Sequence, residues 1–141
     1  MRIAITLVAL LLCGCATEGY APGSMLPGRI TSLADGTTLA MQYELTSGSG
    51  KMIATNPVTG EILQGMYTAV LETKVHTHQS NSLFGSDDTS TETGDVAEGT
   101  AVLVGNKGTV LNLKLHVKVG NPPTGFGDGE DNKGVKYNVQ F

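Results

Sequence analysis

The chain has 141 residues, 40% of them hydrophobic, and carries 13 acidic against 9 basic side chains for a formal charge of −4. That length fits one domain able to bury a core without metal or disulfide staples, and the negative balance argues against a nucleic-acid-binding surface. Nineteen glycines, no tryptophan and only three Phe and four Tyr describe short strands joined by tight turns around an aliphatic core.

The chain opens with Met1-Arg2, one positive charge, followed by the ten-residue apolar run Ile3 to Leu12. Ala9, Cys13 and Gly14 are small enough for the groove of a signal peptidase, so the segment reads as a secretory signal peptide. The run falls far short of the ~20 residues that cross a bilayer as a helix. Leu12-Cys13-Gly14-Cys15 resembles the lipobox of bacterial lipoproteins: a leucine three positions before the cysteine, a small residue at Gly14, and Cys15 itself. Cys13 departs mildly, since Ala or Ser is commoner in its slot.

The resemblance implies that the Cys15 sulfur receives a diacylglycerol, that cleavage precedes Cys15, and that the new amino group is acylated. One acyl chain holds a protein to a membrane only marginally, and a second makes the anchorage stable. The alanine that follows, Ala16, favours outer-membrane sorting in the enterobacterial pattern. An ordinary signal peptide cut at another small residue, such as Ala16, is the alternative. The expected organisation is a signal peptide over 1–14, a lipidated cysteine and flexible tether over 15–28, and a single all-β domain over 29–141. Without Arg2 the processed chain has 8 basic and 13 acidic side chains, a balance of −5. Cys13 leaves with the signal peptide and Cys15 is acylated, so the domain has no thiol and must rely on packing and strand pairing.

Ala16 to Gly28 has no apolar periodicity and reads as the tether, reaching at most ~45 Å when extended. Arg29 to Ala34 is a short strand, and Asp35-Gly36 is a hairpin signal. From Thr37 to Thr46, Leu39, Met41, Tyr43 and Leu45 alternate with Thr38, Gln42, Glu44 and Thr46, the period of a half-buried strand. Gly48-Ser49-Gly50 turns into a strand over Lys51 to Thr55, and Asn56 to Gly60 turns again. Glu61 to His78 holds two strand segments or one strand bent by a bulge near Gly65, with Tyr67, Ala69, Leu71, Thr73 and Val75 on one face.

Gln79 to Gly99, rich in acids, Ser and Thr, breaks the rhythm and reads as a long polar loop, functional or mobile. Thr100 to Val104 and Thr109 to Val119 are strands about the turn Gly105 to Gly108; in the second, Leu111, Leu113, Leu115, Val117 and Val119 share a face. Gly120 to Gly134 reads as a second irregular loop, and Val135, Tyr137, Val139 and Phe141 form the inward face of a closing strand. About seven strands without helical periodicity or internal repeat predict an antiparallel β-sandwich or small β-barrel. The last strand resembles the closing signal of outer-membrane barrels. Too few strands reach ~10 residues, and too few aromatics are present for two girdles, so a water-surrounded domain is expected.

No constellation reaches the strength of a catalytic or ligand motif. His76 and His78 project from one face of a strand, and His116 could join them, but Lys114 and Lys118 share the face of His116 and oppose a cation. Asp128, Glu130 and Asn132 place oxygens at alternate positions as a calcium loop does, yet Lys133 stands where the turn glycine belongs. Gly48 to Lys51 has the look of the end of a phosphate loop, but Met52 replaces the magnesium-binding hydroxyl and no helix follows. No G-x-S-x-G elbow is present. We expect no metal site, no cofactor and no nucleic-acid partner. The expected function is that of a lipid-anchored, non-enzymatic lipoprotein of the bacterial cell envelope, at the outer membrane, serving as a structural or binding module for an envelope protein or polysaccharide. A hydrolase of cell-wall or other envelope polymer, with its site on the two long loops, and a phage- or plasmid-type surface-exclusion lipoprotein are the alternatives.

Overall fold

The computed structural model describes residues 19–78 and 88–141, and the side chains of these outside 72–78 and 88–94. Eight strands follow one another: β1 (Met25–Ser32), β2 (Thr38–Glu44), β3 (Ser49–Thr55), β4 (Ile62–His78), β5 (Asp88–Gly105), β6 (Val110–Lys118), β7 (Thr124–Asp131) and β8 (Lys136–Gln140). Each pairs antiparallel with the next, and β8 returns to β1 through Ile30 opposite Val139, closing an up-and-down barrel. The all-β antiparallel fold expected, a sandwich or a small barrel, is present as the barrel, with eight strands instead of about seven.

The alternation sorts the side chains. Leu26 and Ile30 of β1, Leu39, Met41 and Tyr43 of β2, and Leu111, Leu113 and Leu115 of β6 point inward, where they meet Met52, Leu63, Leu103 and Val139. Burial of each large aliphatic contributes roughly 1.5–3 kcal/mol. Eight strands enclose a space that side chains nearly fill. Arg29, Gln42, Lys51, Gln64, Lys114 and Gln140 stand outward and exposed. This is apolar inside and polar outside, the reverse of a barrel facing lipid. The exterior departs from polarity along one stripe of β4 and β5, where Met66, Val70, Val102 and Val104 are exposed.

Two expected loops contain strands. Residues 120–134, read as irregular, hold β7, whose inward positions are Gly125, Gly127, Gly129 and Asp131 and whose outward positions are Phe126, Asp128 and Glu130. No apolar alternation marks it because the inner residues have no side chain. A Cβ on Gly127 would lie 2.2 Å from the Lys114 carbonyl oxygen, and one on Gly129 would lie 2.4 Å from a Leu113 methyl. Leucines of β6 occupy the space that β7 gives up.

Likewise β5 begins at Asp88, inside the expected 79–99 loop; residues 79–87 of that loop lie outside the described residues. From Thr73 opposite Thr93 to His78 opposite Asp88, β4 and β5 pair only with each other, because pairing with β3 ends at Thr68 and with β6 at Val96. Over that stretch the two strands run on as a two-stranded ribbon. The bulge expected near Gly65 is absent: pairing runs through that residue and slips between Leu71 and Thr73. Gly65 serves close approach instead, since a Cβ there would lie 1.8 Å from the Val102 carbonyl oxygen. β1 starts at Met25, four residues ahead of the expected Arg29.

The expected tight turns close one end of the barrel. In the first, Asp35 accepts the Thr37 amide at 3.0 Å and Gly36 takes φ 75°. At that end Glu61 accepts the Lys107 and Thr109 amides, each at 3.1 Å, and the Thr109 hydroxyl at 2.8 Å. Asp131 accepts the Lys133 and Val135 amides at 2.8 and 3.0 Å and the Tyr137 hydroxyl at 2.9 Å. Two buried carboxylates thus cap the turns between β3 and β4, β5 and β6, and β7 and β8.

Candidate functional site

The opposite end stays open, and inward positions there are small. Ala69 and Ala97 are among the residues that line a pocket of about 620 Å³ there, within the roughly 300–1,000 Å³ usual for small-molecule sites. Met52 and Leu115, both buried, form its floor. Tyr43, Tyr67 and Phe141 wall one side, with Tyr43 tilted at 59° to Phe141 over 5.0 Å and edge-on to Tyr67 at 6.5 Å. Leu71, Val119 and Tyr20 form a rim and remain about half exposed, at 45%, 53% and 49%.

Local structure fixes these walls. Phe141 is held by reciprocal backbone bonds with Gly125 at 2.7 and 3.0 Å, and its ring lies over the space left by that glycine. The segment ahead of β1 crosses the mouth because Gly23 donates to the Leu45 carbonyl at 2.7 Å and Leu45 donates to that of Ser24 at 2.8 Å. This places Tyr20 and Pro22 at the opening.

The chemistry of the pocket is set by what its polar atoms already do. The Tyr43 hydroxyl donates to the Pro123 carbonyl at 3.1 Å and the Tyr67 hydroxyl to the Glu44 carbonyl at 2.6 Å. Both therefore turn ring surface, not a free donor, toward the space. Burial first, then the neighbouring Tyr67 and Tyr20, push the Tyr43 phenol above its ordinary value, so it stays neutral. Among the described residues no Asp, Glu, Lys, Arg or His lines the pocket; the uncharged polar side chains Thr46, Ser47 and Asn121 lie along it. Such a site can exclude water around an apolar group.

The residues singled out in the sequence do not gather here. Asp128 and Glu130 are exposed on the outer face of β7, opposite Lys114 and Lys136 in the neighbouring strands, so calcium would compete with ammonium groups for them. Asn132 is committed to the turns, its Oδ1 accepting the Val110 amide at 3.0 Å and its Nδ2 donating to the Gly108 carbonyl at 3.1 Å. His76 and His78 pair in register with Ser90 and Asp88, and their side chains, like Cys15, lie outside the description. His116 is on the outer face, 2.7 Å from Glu98 and stacked on Phe126 at 5.1 Å. Among the described residues no group of three or more His, Cys, Asp or Glu could hold a metal. Of Gly48 to Lys51, Gly48 takes φ 103° in the turn after β2, and Ser49 to Lys51 already belong to β3.

Sequence reasoning did not find the pocket. Its only signal is the small inward residues Ala69 and Ala97, which acquire meaning once the pairing of β4 with β5 brings them to one pocket. No family model, curated protein sequence or solved structure matches the chain.

Proposed function

We propose that the chain is a non-enzymatic binding module, held at a membrane of the bacterial envelope by a lipid on Cys15, and that the open mouth of the barrel is its binding site. The observation that carries the reading is the pocket, apolar and uncharged among its described lining residues, at the end where the N-terminal segment reaches the barrel. A binding site needs shape, an apolar lining and few polar groups, and the mouth has these. A polysaccharide partner fits less well, because sugar recognition needs unpaired donors and acceptors and the two tyrosine hydroxyls are already engaged. The lipobox-like Leu12 to Cys15 supports anchorage, and the short span from Cys15 to Tyr20 keeps the mouth within ~18 Å of the point of attachment.

The test uses the full-length chain in bacteria, with a photoreactive amino acid at Val119 on the rim or at Lys51 on the outer wall. Capture of a defined molecule from the rim but not from the wall is expected. Equal capture from both, or none from the rim, overturns the site. Cys15→Ser, followed by fractionation, is expected to alter the mass of the first peptide and the membrane attachment. Unchanged processing and attachment overturn the anchor.

A further inference from the structure

From the chemistry of the mouth we infer its ligand: one acyl chain of a membrane lipid, entering tail first, with the lipid's polar end left at the rim. The inference rests on the mouth being the binding site.

Five observations carry it. The floor, Met52 and Leu115, is wholly apolar and closed, so what reaches it must end in hydrocarbon. The tyrosines on the wall have bonded their hydroxyls to backbone carbonyls and offer the ligand no unmet donor. A ligand polar along its length would be stripped of water there without compensation.

The uncharged polar side chains Thr46, Ser47 and Asn121 come from the connections between strands at the open end, where the linking atoms of an ester and its headgroup would lie. Among the described lining residues no cationic side chain stands at the rim to pair with an ionised carboxylate, which favours an esterified chain over a free fatty acid.

Finally, the rim itself is apolar and exposed through Tyr20, Leu71 and Val119. Exposed apolar side chains around an apolar hole mark a contact with something apolar. Together they form a path along which hydrocarbon can pass from a bilayer to the floor without crossing water. Transfer from bilayer to pocket exchanges one apolar surrounding for another, so the chain is held exchangeably.

The test is made in bacteria producing the full-length protein and fed a fatty acid bearing a diazirine and an alkyne, which enters the phospholipids. After irradiation the protein is isolated through the alkyne, and adducts are placed and weighed by mass spectrometry. Phospholipid-mass adducts on Met52, Leu115 or Phe141 are expected. Ala97→Phe, which fills the pocket, should lower them by about tenfold or more, whereas Val102→Thr on the outer stripe should leave them unchanged. Leu71→Asp charges the exposed rim without touching the core and should lower them as well, which keeps the test decisive if Ala97→Phe does not fold. Adducts confined to Met66, Val70 and Val102, or no adducts on folded protein, overturn the inference.

An adduct joining the pocket to the Cys15 peptide also overturns it, by making the protein's own anchor the occupant. The same spectra separate this inference from the reading beneath it. Pocket adducts on a chain whose Cys15 carries no lipid remove the anchor and keep the ligand. Protein capture from Val119 without lipid adducts keeps the site and removes the ligand.

Discussion

Replacing Glu61 tests whether the closed end of the barrel is held by a buried anion. The carboxylate accepts three hydrogen bonds, from the Lys107 amide and from the amide and hydroxyl of Thr109. Lys107 is exposed, and water can replace its partner, but Thr109 is only 9% exposed and Glu61 7%. Glu61→Ala therefore strands two covered donors. At about 1–3 kcal/mol for each buried group left unsatisfied, the cost is about 2–6 kcal/mol, a large part of the ~5–15 kcal/mol that holds a domain together. Glu61→Gln keeps an acceptor for both amides, and the Thr109 hydroxyl can rotate to accept from the new amide, so its cost is about 1 kcal/mol.

The two variants also differ in pH dependence. Burial pushes the Glu61 carboxyl up, but the bonds from Thr109 and Lys107 and the charge of Lys133 outweigh it, leaving the group below its ordinary 4.5. A depressed folded value means that the ionised group stabilises the fold fully above that ordinary value and ceases to do so as pH falls through the lower folded one. Urea unfolding followed by far-ultraviolet circular dichroism, at pH 7 and at steps below 4.5, should show a stability loss in the native chain that Glu61→Gln lacks. Equal acid slopes in the two proteins, or a cost below about 0.5 kcal/mol for Glu61→Ala, would refute the reasoning.

Other expectations follow from packing and titration. Gly127→Ala sets a Cβ 2.2 Å from the Lys114 carbonyl oxygen and should part β6 from β7, whereas Gly36→Ala meets nothing within 4 Å and incurs only its positive φ, about 1–2 kcal/mol; urea midpoints should fall in that order. Leu113→Ala, in the middle of the barrel, should cost about 2–5 kcal/mol in the same assay, and a smaller loss would mean that the wall collapses onto the gap. The Tyr137 phenol, pushed up to about 12 by burial and by its bond to Asp131, should give an absorbance titration step well above the ordinary 10. Its raised folded value contributes stability present below 10 and lost as pH rises through about 12, and Tyr137→Phe should remove that alkaline step.

How much of this was legible depended on what each strand faces. Where one side met a full core and the other water, as in Thr38–Glu44 and Val110–Lys118, period-two alternation named both strand and inward residues. The hairpin at Asp35-Gly36 and the turn ending at Gly108 were equally plain, since backbone of positive φ leaves its mark in glycine. β7 escaped because its inner face is glycine, so its signal was an absence of side chains filled by leucines of another strand. The start of β5 escaped because Asp88 to Asp95 is a run of acids, Thr, Ser and Gly with no apolar alternation. The pocket was the least visible feature, for a cavity arises from residues distant in sequence that meet around one space. Ala69 and Ala97 are unremarkable until β4 and β5 are laid side by side.

Closure between β1 and β8 sets the order in which the molecule can form. Arg29 meets Gln140 across 111 positions of sequence, so the first strand stays unpaired on one side until the last is in place. Every other strand pair is a neighbour in the chain and can zip locally; the seam cannot. The entropy of joining such distant segments must be met before their contacts reward it, and folding dominated by pairings of this kind is slow. Until the final residues arrive, two sheet edges and the aliphatic interior remain open to solvent and to other chains. Loss of a few C-terminal residues would thus do more than fray an end: it would leave a curled sheet with two sticky margins where a sealed tube should be.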